Sequence, residues 1–354
     1  MRAILLAGGF GLIGTLLGTR LAIMALARKG YGQPIRDDGP TSHHTKRGTP
    51  TMGGAVVILA VIVAYFLAKL ITDSRPSASA VLLLGLFVGL GVVGFVDDYI
   101  KVVKQRSLGL RSKAKFIGQT VIAVAFGWLS LQFPDERGHS PASAAISLIR
   151  VLDWRLPLVL TLIWVLIMIA GASNAVNLTD GLDGLATGAS MMVFGAFTFM
   201  CIWQNNQFCA ITPGPKCYNE IRDPLDLAVV AAAITGALFG FLWWNASPAR
   251  IIMGDTGALS LGGAMAGFAI MTRTELLLIV LGGLFIIITL SVILQVGFFK
   301  LTKGKRLFRM APLQHHFELL GWAEVTIVIR FWLVSGICVA LGLGIFYAEW
   351  VSGT

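Results

Sequence analysis

The sequence predicts an all-α, polytopic integral membrane protein, and three observations carry that expectation. Hydrophobic residues fill 56% of the 354 positions and charged ones only 13%, where soluble domains carry about 25% charged residues. The apolar residues fall in separate runs close to the ~20 positions a helix needs to cross a bilayer. The period-2 alternation of ~10-residue segments that marks a membrane barrel is absent. With a mean hydropathy of +0.79 and neither internal repeat nor low-complexity segment, one transmembrane domain over 1–354 is the economical organisation.

Charged or Pro/Gly-rich breaks divide the chain into ten expected helices, in order about 3–25, 53–71, 79–96, 116–133, 156–172, 185–203, 225–243, 257–271, 275–298 and 325–347. The first ends in Ala25-Leu26-Ala27, the pattern of a secretory leader. Its length, the internal Arg20 and the following Arg28 and Lys29 favour a retained helix. ITDSRPSAS parts the second and third, FVDDYIK closes the third, and FPDERGHSPASAA follows the fourth. The eighth, GALSLGGAMAGFAIM, is short and Gly-rich, and only Thr272-Arg273-Thr274 separates it from the ninth, so a re-entrant hairpin is an alternative there.

Orientation follows from the basic residues, which concentrate in cytoplasmic loops. The odd-numbered loops hold 17 Lys and Arg and the even-numbered ones 7. The odd loops are therefore expected in the cytoplasm and both termini outside, in the periplasm if the membrane is a bacterial inner one. The net charge of +10 reads as topology and contact with anionic lipid headgroups, with no nucleic-acid partner expected. Cys201, Cys209, Cys217 and Cys338 form no CxxC pair, which argues against a thiolate metal site. Cys209 and Cys217 share an outward loop where a disulfide is permitted, and a free pair is the equal alternative.

Polar and titratable residues converge on the odd loops. HHTKRGTPTMGG, VDDYIK with QRSLGLRSKAKF, NAVNLTDGLDG, NASPARIIMGDTG and APLQHHFE all belong there, which expects an active site on the cytoplasmic face. Asp97, Asp98, Asp180, Asp183 and Asp255 each stand within a few residues of an apolar span, a position costly for a carboxylate unless it is paired, hydrated or bound to a cation. Helix capping accounts for one acid of NLTDGLDG, not for two. Asp97 and Asp98 diverge by roughly 100° on a helix, so one can meet a metal or substrate while the other meets a neighbouring helix. Carboxylates without His or Cys clusters suit Mg²⁺. Beside Lys46, Arg47, Lys101, Lys104, Arg106, Arg111, Lys113 and Lys115 they suit phosphoryl transfer, although most of these cations taken singly are explained by topology. Gly53, Gly54, Gly181, Gly184, Gly254 and Gly257 flank polar residues at helix ends, where unpaired N–H groups attract phosphate. His315 and His316 follow the basic KGKRLFRM stretch and could stabilise charge near a diphosphate.

Taken in order, KRGTPTMGG, FVDDYIKV, QRSLGLRSKAKF, NLTDGLDGLATG, NASPARIIMGDTGALSLGG and PLQHHFELLGW closely resemble the phospho-N-acetylmuramoyl-pentapeptide transferases, or translocases I, of the polyprenyl-phosphate N-acetylhexosamine-1-phosphate transferase superfamily. The resemblance spans about 36–330. It implies transfer of phospho-MurNAc-pentapeptide from UDP-MurNAc-pentapeptide to undecaprenyl phosphate, giving lipid I and UMP with Mg²⁺. It implies that Asp97 and Asp98 engage or deprotonate the lipid phosphate, that Asp255 binds Mg²⁺, and that His315 and His316 belong to the catalytic set. Lys46, Lys113 and Lys115 become phosphate contacts, and Asn174, Asn177, Asp180, Asp183 and Asn245 line the nucleotide and diphosphate site. Membrane lipid is an expected partner, and a homodimer stays open.

Two departures stand out. The family's last motif is a run of three His, but the first position here is Gln314, which cannot carry a proton charge. An aromatic that could stack on uracil often precedes MGD in the family, whereas this chain has Ile252. The rival readings are a UDP-GlcNAc:polyprenyl-phosphate GlcNAc-1-phosphate transferase, an ion-coupled transporter, which would want its acids near the midplane, and a non-catalytic scaffold.

Overall fold

A computed structural model describes residues 1–28, 48–104, 109–209, 211, 217 and 221–352. Lys46, expected as a phosphate contact, lies outside the described residues. Ten long helices form the body: α1 Arg2–Arg28, α2 Gly53–Ile71, α3 Ala78–Val103, α4 Ser112–Ser130, α5 Leu158–Thr179, α6 Leu185–Asn206, α7 Pro224–Asn245, α8 Gly254–Met271, α10 Gly283–Leu301 and α12 Glu324–Ser352, with the short α9 Leu278–Leu281 and α11 Leu313–Glu318 between the last three. Eight of the ten are long and apolar enough to cross a membrane. The less apolar two are α4, which opens on SKAK, and α8, which opens on GDTG.

Helix α8 is the axis of the bundle. It packs on α3 and α5, and every residue from Thr256 to Met271 is buried, so it needs no lipid-compatible surface. It is one unbroken helix. Around it, α7 packs on α1 and α6, with Thr15 Oγ1 donating to Ala237 O at 2.8 Å. Outward faces carry exposed Leu, Ile, Val and Phe, such as Leu5, Leu17, Phe66, Ile117 and Ile163, the inverse of a soluble surface and suited to lipid. The span expected over 275–298 is divided instead into α9 and α10 at Gly282.

Close backbone approach fixes the start of α8. A Cβ on Gly94 of α3 would stand 2.5 Å from Asp255 C and 2.6 Å from Thr256 N, and a Cβ on Gly54 of α2 would overlap the Gly257 backbone. Loop backbone bonds complete the clamp: Gly53 N donates to Ile252 O and Gly54 N to Met253 O, each at 2.9 Å. These two glycines thus serve packing, where the sequence suggested open N–H groups for phosphate. Gly94→Ala is expected to cost about 1–3 kcal/mol through overpacking and to lower turnover by displacing Asp255. Thermal unfolding in detergent checks this against Gly85→Ala, where a Cβ meets nothing within 4 Å.

The other end of the bundle is built from the even loops. There β1 (Ala145–Ser147) pairs antiparallel with β2 (Val151–Arg155), a hairpin the sequence reading took for ordinary loop. Arg273, buried after α8, donates to Ile270 O at 3.0 Å and to Pro141 O and Ser140 O at 3.1 Å, tying the loop to the C-terminal carbonyls of α8. Cys209 and Cys217 are joined in a disulfide, which decides the alternative left open by the sequence.

Candidate active site

Helix α3 does not stop at its apolar run but continues through FVDDYIK to Val103. Spacing explains why: Lys101 follows Asp97 and Asp98 by four and three residues, so its ammonium reaches back along one face. Lys101 Nζ lies 2.6 Å from Asp97 Oδ2, 3.8 Å from Asp98 Oδ1 and 3.0 Å from Asp255 Oδ2 on α8. Asp97, Asp98 and Asp255 bring carboxylate oxygens within 4.8 Å of one another. Both α3 acids are buried.

The two neighbours point to different partners, as helix geometry requires. Asp98 Oδ1 accepts from Asp255 N at 3.2 Å, and Oδ2 accepts from Thr256 N at 2.9 Å and Thr256 Oγ1 at 2.7 Å. No side chain from its own N-cap residue, Met253, caps α8. Asp98 therefore caps it from another helix, satisfying N–H groups that have no intrahelical partner and placing negative charge at the positive end of the dipole. Gly254 makes the fit possible: its φ is +75°, and a Cβ there would stand 2.6 Å from Asp98 Oδ2. Asp97 Oδ1 accepts from Leu110 N at 2.7 Å.

Helices α4 and α5 close the group. Lys115 Nζ bonds Asp255 Oδ2 at 2.6 Å. Asn177, its amide oriented to satisfy both neighbours, donates to Asp255 Oδ1 at 2.9 Å and accepts from Lys115 Nζ at 3.2 Å. Asp180, just past the end of α5, joins Thr51, Asp98, Lys101, Asn177, Ile252, Gly254 and Asp255 around a cavity of about 60 Å³. Enclosure, then the charges of Asp255 and Asp98, push the Asp180 carboxyl up to about 7. Asp97, Asp98 and Asp255 here face the two ammonium groups of Lys101 and Lys115. That excess of negative charge, presented by oxygen donors alone, fits a hard divalent cation, and Asp97, Asp98 and Asp255 are the residues able to hold it.

The remaining expected residues divide. Lys113 is exposed on the first turn of α4. Asn174 donates to Ala170 O within α5 at 2.8 Å. Asn245 is buried, accepting from Thr187 Oγ1 at 2.5 Å and donating to Ile251 O at 3.0 Å. Asp183 Oδ2 accepts from Ala249 N at 3.0 Å, and its own N–H donates to Glu324 Oε1 at 2.8 Å. Asn245 and Asp183 thus brace the loop that carries Asp255, and neither lines the cavity.

Helix α11 sits against the turn after α5. A Cβ on Gly181 would stand 3.0 Å from both His315 Nε2 and Gln314 Nε2. His315 Nδ1 pairs with Glu318 Oε2 at 2.6 Å, while His316 Nδ1 accepts from Arg309 N at 3.1 Å and its ring meets Phe308 and Phe317 edge-on. Gln314 is wholly buried and donates to Leu178 O at 2.9 Å, a role that requires a donor and no charge. Gln314→His, which keeps a ring N–H, is expected to retain wild-type turnover. Gln314→Leu is expected to cost about 1–3 kcal/mol by leaving that carbonyl unpaired, read as a lower unfolding temperature.

Two central residues lie outside the expected site residues. Lys101 stands in the sequence among eight cations that suit phosphoryl transfer beside the carboxylates, and its spacing from Asp97 and Asp98 is the signal that singles it out. Thr256 had no signal beyond its place in MGDTG. Ile252 does line the cavity, and its backbone also pins two loops, N–H to Pro50 O at 2.8 Å and carbonyl to Gly53 N.

Known proteins place these features in context. The profile of glycosyl transferase family 4 matches residues 79–273, which include the two α3 acids and Asp255. Proteins called phospho-N-acetylmuramoyl-pentapeptide-transferase are similar along the whole chain: one from a Nocardioides species is 68% identical, with 100% of each chain covered. Others from Cutibacterium acnes and Streptomyces avermitilis are 62% and 61% identical, with 100% and 99% of each chain covered.

Proposed function

The chain belongs to the phospho-N-acetylmuramoyl-pentapeptide-transferase family, and we propose that the carboxylate cavity where α3, α4, α5 and α8 meet is where its reaction takes place. The reaction is transfer of phospho-MurNAc-pentapeptide from UDP-MurNAc-pentapeptide to undecaprenyl phosphate, which yields lipid I and UMP in a multi-pass protein of the bacterial inner membrane. An oxygen of the lipid phosphate attacks the sugar-bearing phosphorus, a new P–O bond forms, and the P–O bond to UMP breaks. The observation that carries the site is the meeting of Asp97, Asp98 and Asp255 within 4.8 Å beside two lysines.

Bound Mg²⁺, held by Asp255, would neutralise charge on the diphosphate oxygens. Lys101 and Lys115 exchange a carboxylate partner for phosphate oxygen as substrate enters. Asn177 and Asp180 line the diphosphate side, and His315 flanks the turn at Gly181. Asp98 is committed by three hydrogen bonds to α8. Asp97, held by Leu110 N and a movable ammonium, is then the acid that takes the proton of the lipid phosphate. This end of the bundle faces the cytoplasm, where the soluble nucleotide arrives and the basic loops belong.

Purified protein is expected to release UMP only when UDP-MurNAc-pentapeptide, undecaprenyl phosphate and Mg²⁺ are all present. EDTA should abolish release and excess Mg²⁺ restore it. Equal release from UDP-GlcNAc would favour the GlcNAc-1-phosphate reading, and release in EDTA would overturn the metal assignment. Acids gathered at one end rather than at midplane weigh against an ion-coupled relay.

A further inference from the structure

The end of the bundle opposite the carboxylates holds a second charged cavity, of about 360 Å³, lined by Lys69, Arg75, Arg137, Arg222, Asp223 and Asp226 among others. Its acids are already engaged. Asp226 accepts from Tyr65 Oη and Ser77 N at 2.8 Å and from Lys69 Nζ at 2.9 Å. Asp223 accepts from Ser79 Oγ at 2.6 Å and lies 3.3 Å from Arg222 Nε.

The cations are less well provided for. Arg137 reaches Asp135 through Nε and Nη2 at 3.1 and 2.9 Å, and its guanidinium lies 4.3 Å over the Phe208 ring. Arg75 is exposed and has no carboxylate partner among the described residues. Arg222 has only 16% of its side chain exposed, yet its Nη1 is buried without a hydrogen-bond partner, a costly arrangement for a guanidinium N–H. Four cations therefore face Asp135, Asp223 and Asp226, leaving one positive charge over, and the 22-residue α7 begins at the cavity with Pro224, adding the positive end of its dipole.

One surplus charge, an unmet guanidinium N–H and a helix N-terminus match a phosphate group, and a phosphodiester carries a single negative charge. The neighbouring surface suggests its source. Phe66, Leu70 and Ile71 on the last turns of α2 and Leu225 at the cavity edge are exposed, where acyl chains would lie alongside a headgroup. We infer that this cavity binds a phosphate group in the leaflet remote from the catalytic carboxylates, the phosphodiester of an anionic phospholipid being the source the adjoining apolar surface favours.

Native mass spectrometry of the full-length protein, titrated with phosphatidylglycerol or phosphatidylcholine and challenged with inorganic phosphate, tests this. Phosphatidylglycerol is expected to bind roughly tenfold more tightly than phosphatidylcholine, which carries the same phosphodiester but adds a choline cation that the surplus positive charge of the cavity repels. Arg222→Gln and Arg75→Gln are each expected to remove most of that preference while UMP release continues at the wild-type rate. Arg75 is exposed and has no carboxylate partner among the described residues, so its replacement does not put folding at stake. Competition by millimolar inorganic phosphate would support phosphate recognition with the free anion as occupant, and indifference to it would support the lipid. Equal binding of the two lipids, or an unchanged preference in both variants, would overturn the inference.

Discussion

Asp255→Ala is expected to abolish turnover while leaving a folded protein. Asp255 is where three helices spend their polar side chains: Lys101 from α3, Lys115 from α4 and Asn177 from α5 all bond it. Removing it takes away a cation-binding carboxylate and leaves two ammonium groups with one fewer counter-charge, in a site where phosphoryl transfer depends on placed charge. The loss in kcat should be on the order of 10³ or more, the scale of deleting one organising electrostatic group. The fold should survive because α8 is held by its apolar length and by the Asp98 cap, neither of which uses the Asp255 side chain. UMP release measured across a Mg²⁺ titration, with thermal unfolding as control, reads both effects. A wild-type rate with normal Mg²⁺ dependence would remove Asp255 from the metal site.

The fold was largely legible because lipid imposes a simple rule, long apolar runs for spanning helices, and among the described residues nine of the ten expected runs became single long helices, the run over 275–298 alone being divided, into α9 and α10. Boundaries were less legible where polar residues are helical. The third helix was expected to end at about 96, but Lys101 neutralises Asp97 and Asp98 along one face and α3 runs on to Val103. The eighth was expected from 257, but Asp255 and Thr256 form its first turn because Asp98 caps them from α3. The β1–β2 hairpin was too short to leave a pattern.

Site residues were legible by type and not by direction. Asp98, Asn177, Asp180 and Asp255 line one cavity, with Asp97 and Lys115 joined to its Lys101 and Asp255, whereas Asn245 and Asp183, equally polar and in the same motifs, turn into hydrogen bonds that hold loops. No feature of NLTDGLDG distinguishes its two acids, since the difference arises from Ala249 and Glu324, distant in sequence. The basic cavity at the far end was invisible for the same reason: Lys69, Arg137 and Arg222 come from separate loops and helices without a shared motif.

Comparing Asp98→Asn with Asp97→Asn separates positioning from proton transfer. An amide at 98 can present one oxygen to the start of α8, but its NH₂ then faces a backbone N–H, so at least one of the three bonds now made to Asp255 and Thr256 is lost together with the charge at the dipole. The expected result is a fall in kcat of about 10²–10³ with a raised Mg²⁺ requirement, because the carboxylate of Asp255 is no longer held in register, and an unfolding temperature lowered by the loss of a cap worth about 0.5–2 kcal/mol. Asp97→Asn leaves that cap intact. It should lower kcat without changing the unfolding temperature in the same measure, since Asp97 contacts Lys101 and Leu110 and makes no bond to the α8 backbone. Equal effects of the two variants on stability and Mg²⁺ requirement would mean that the pair acts as one metal-binding unit, and a wild-type rate in Asp98→Asn would show that the interhelical cap is not what keeps Asp255 in place.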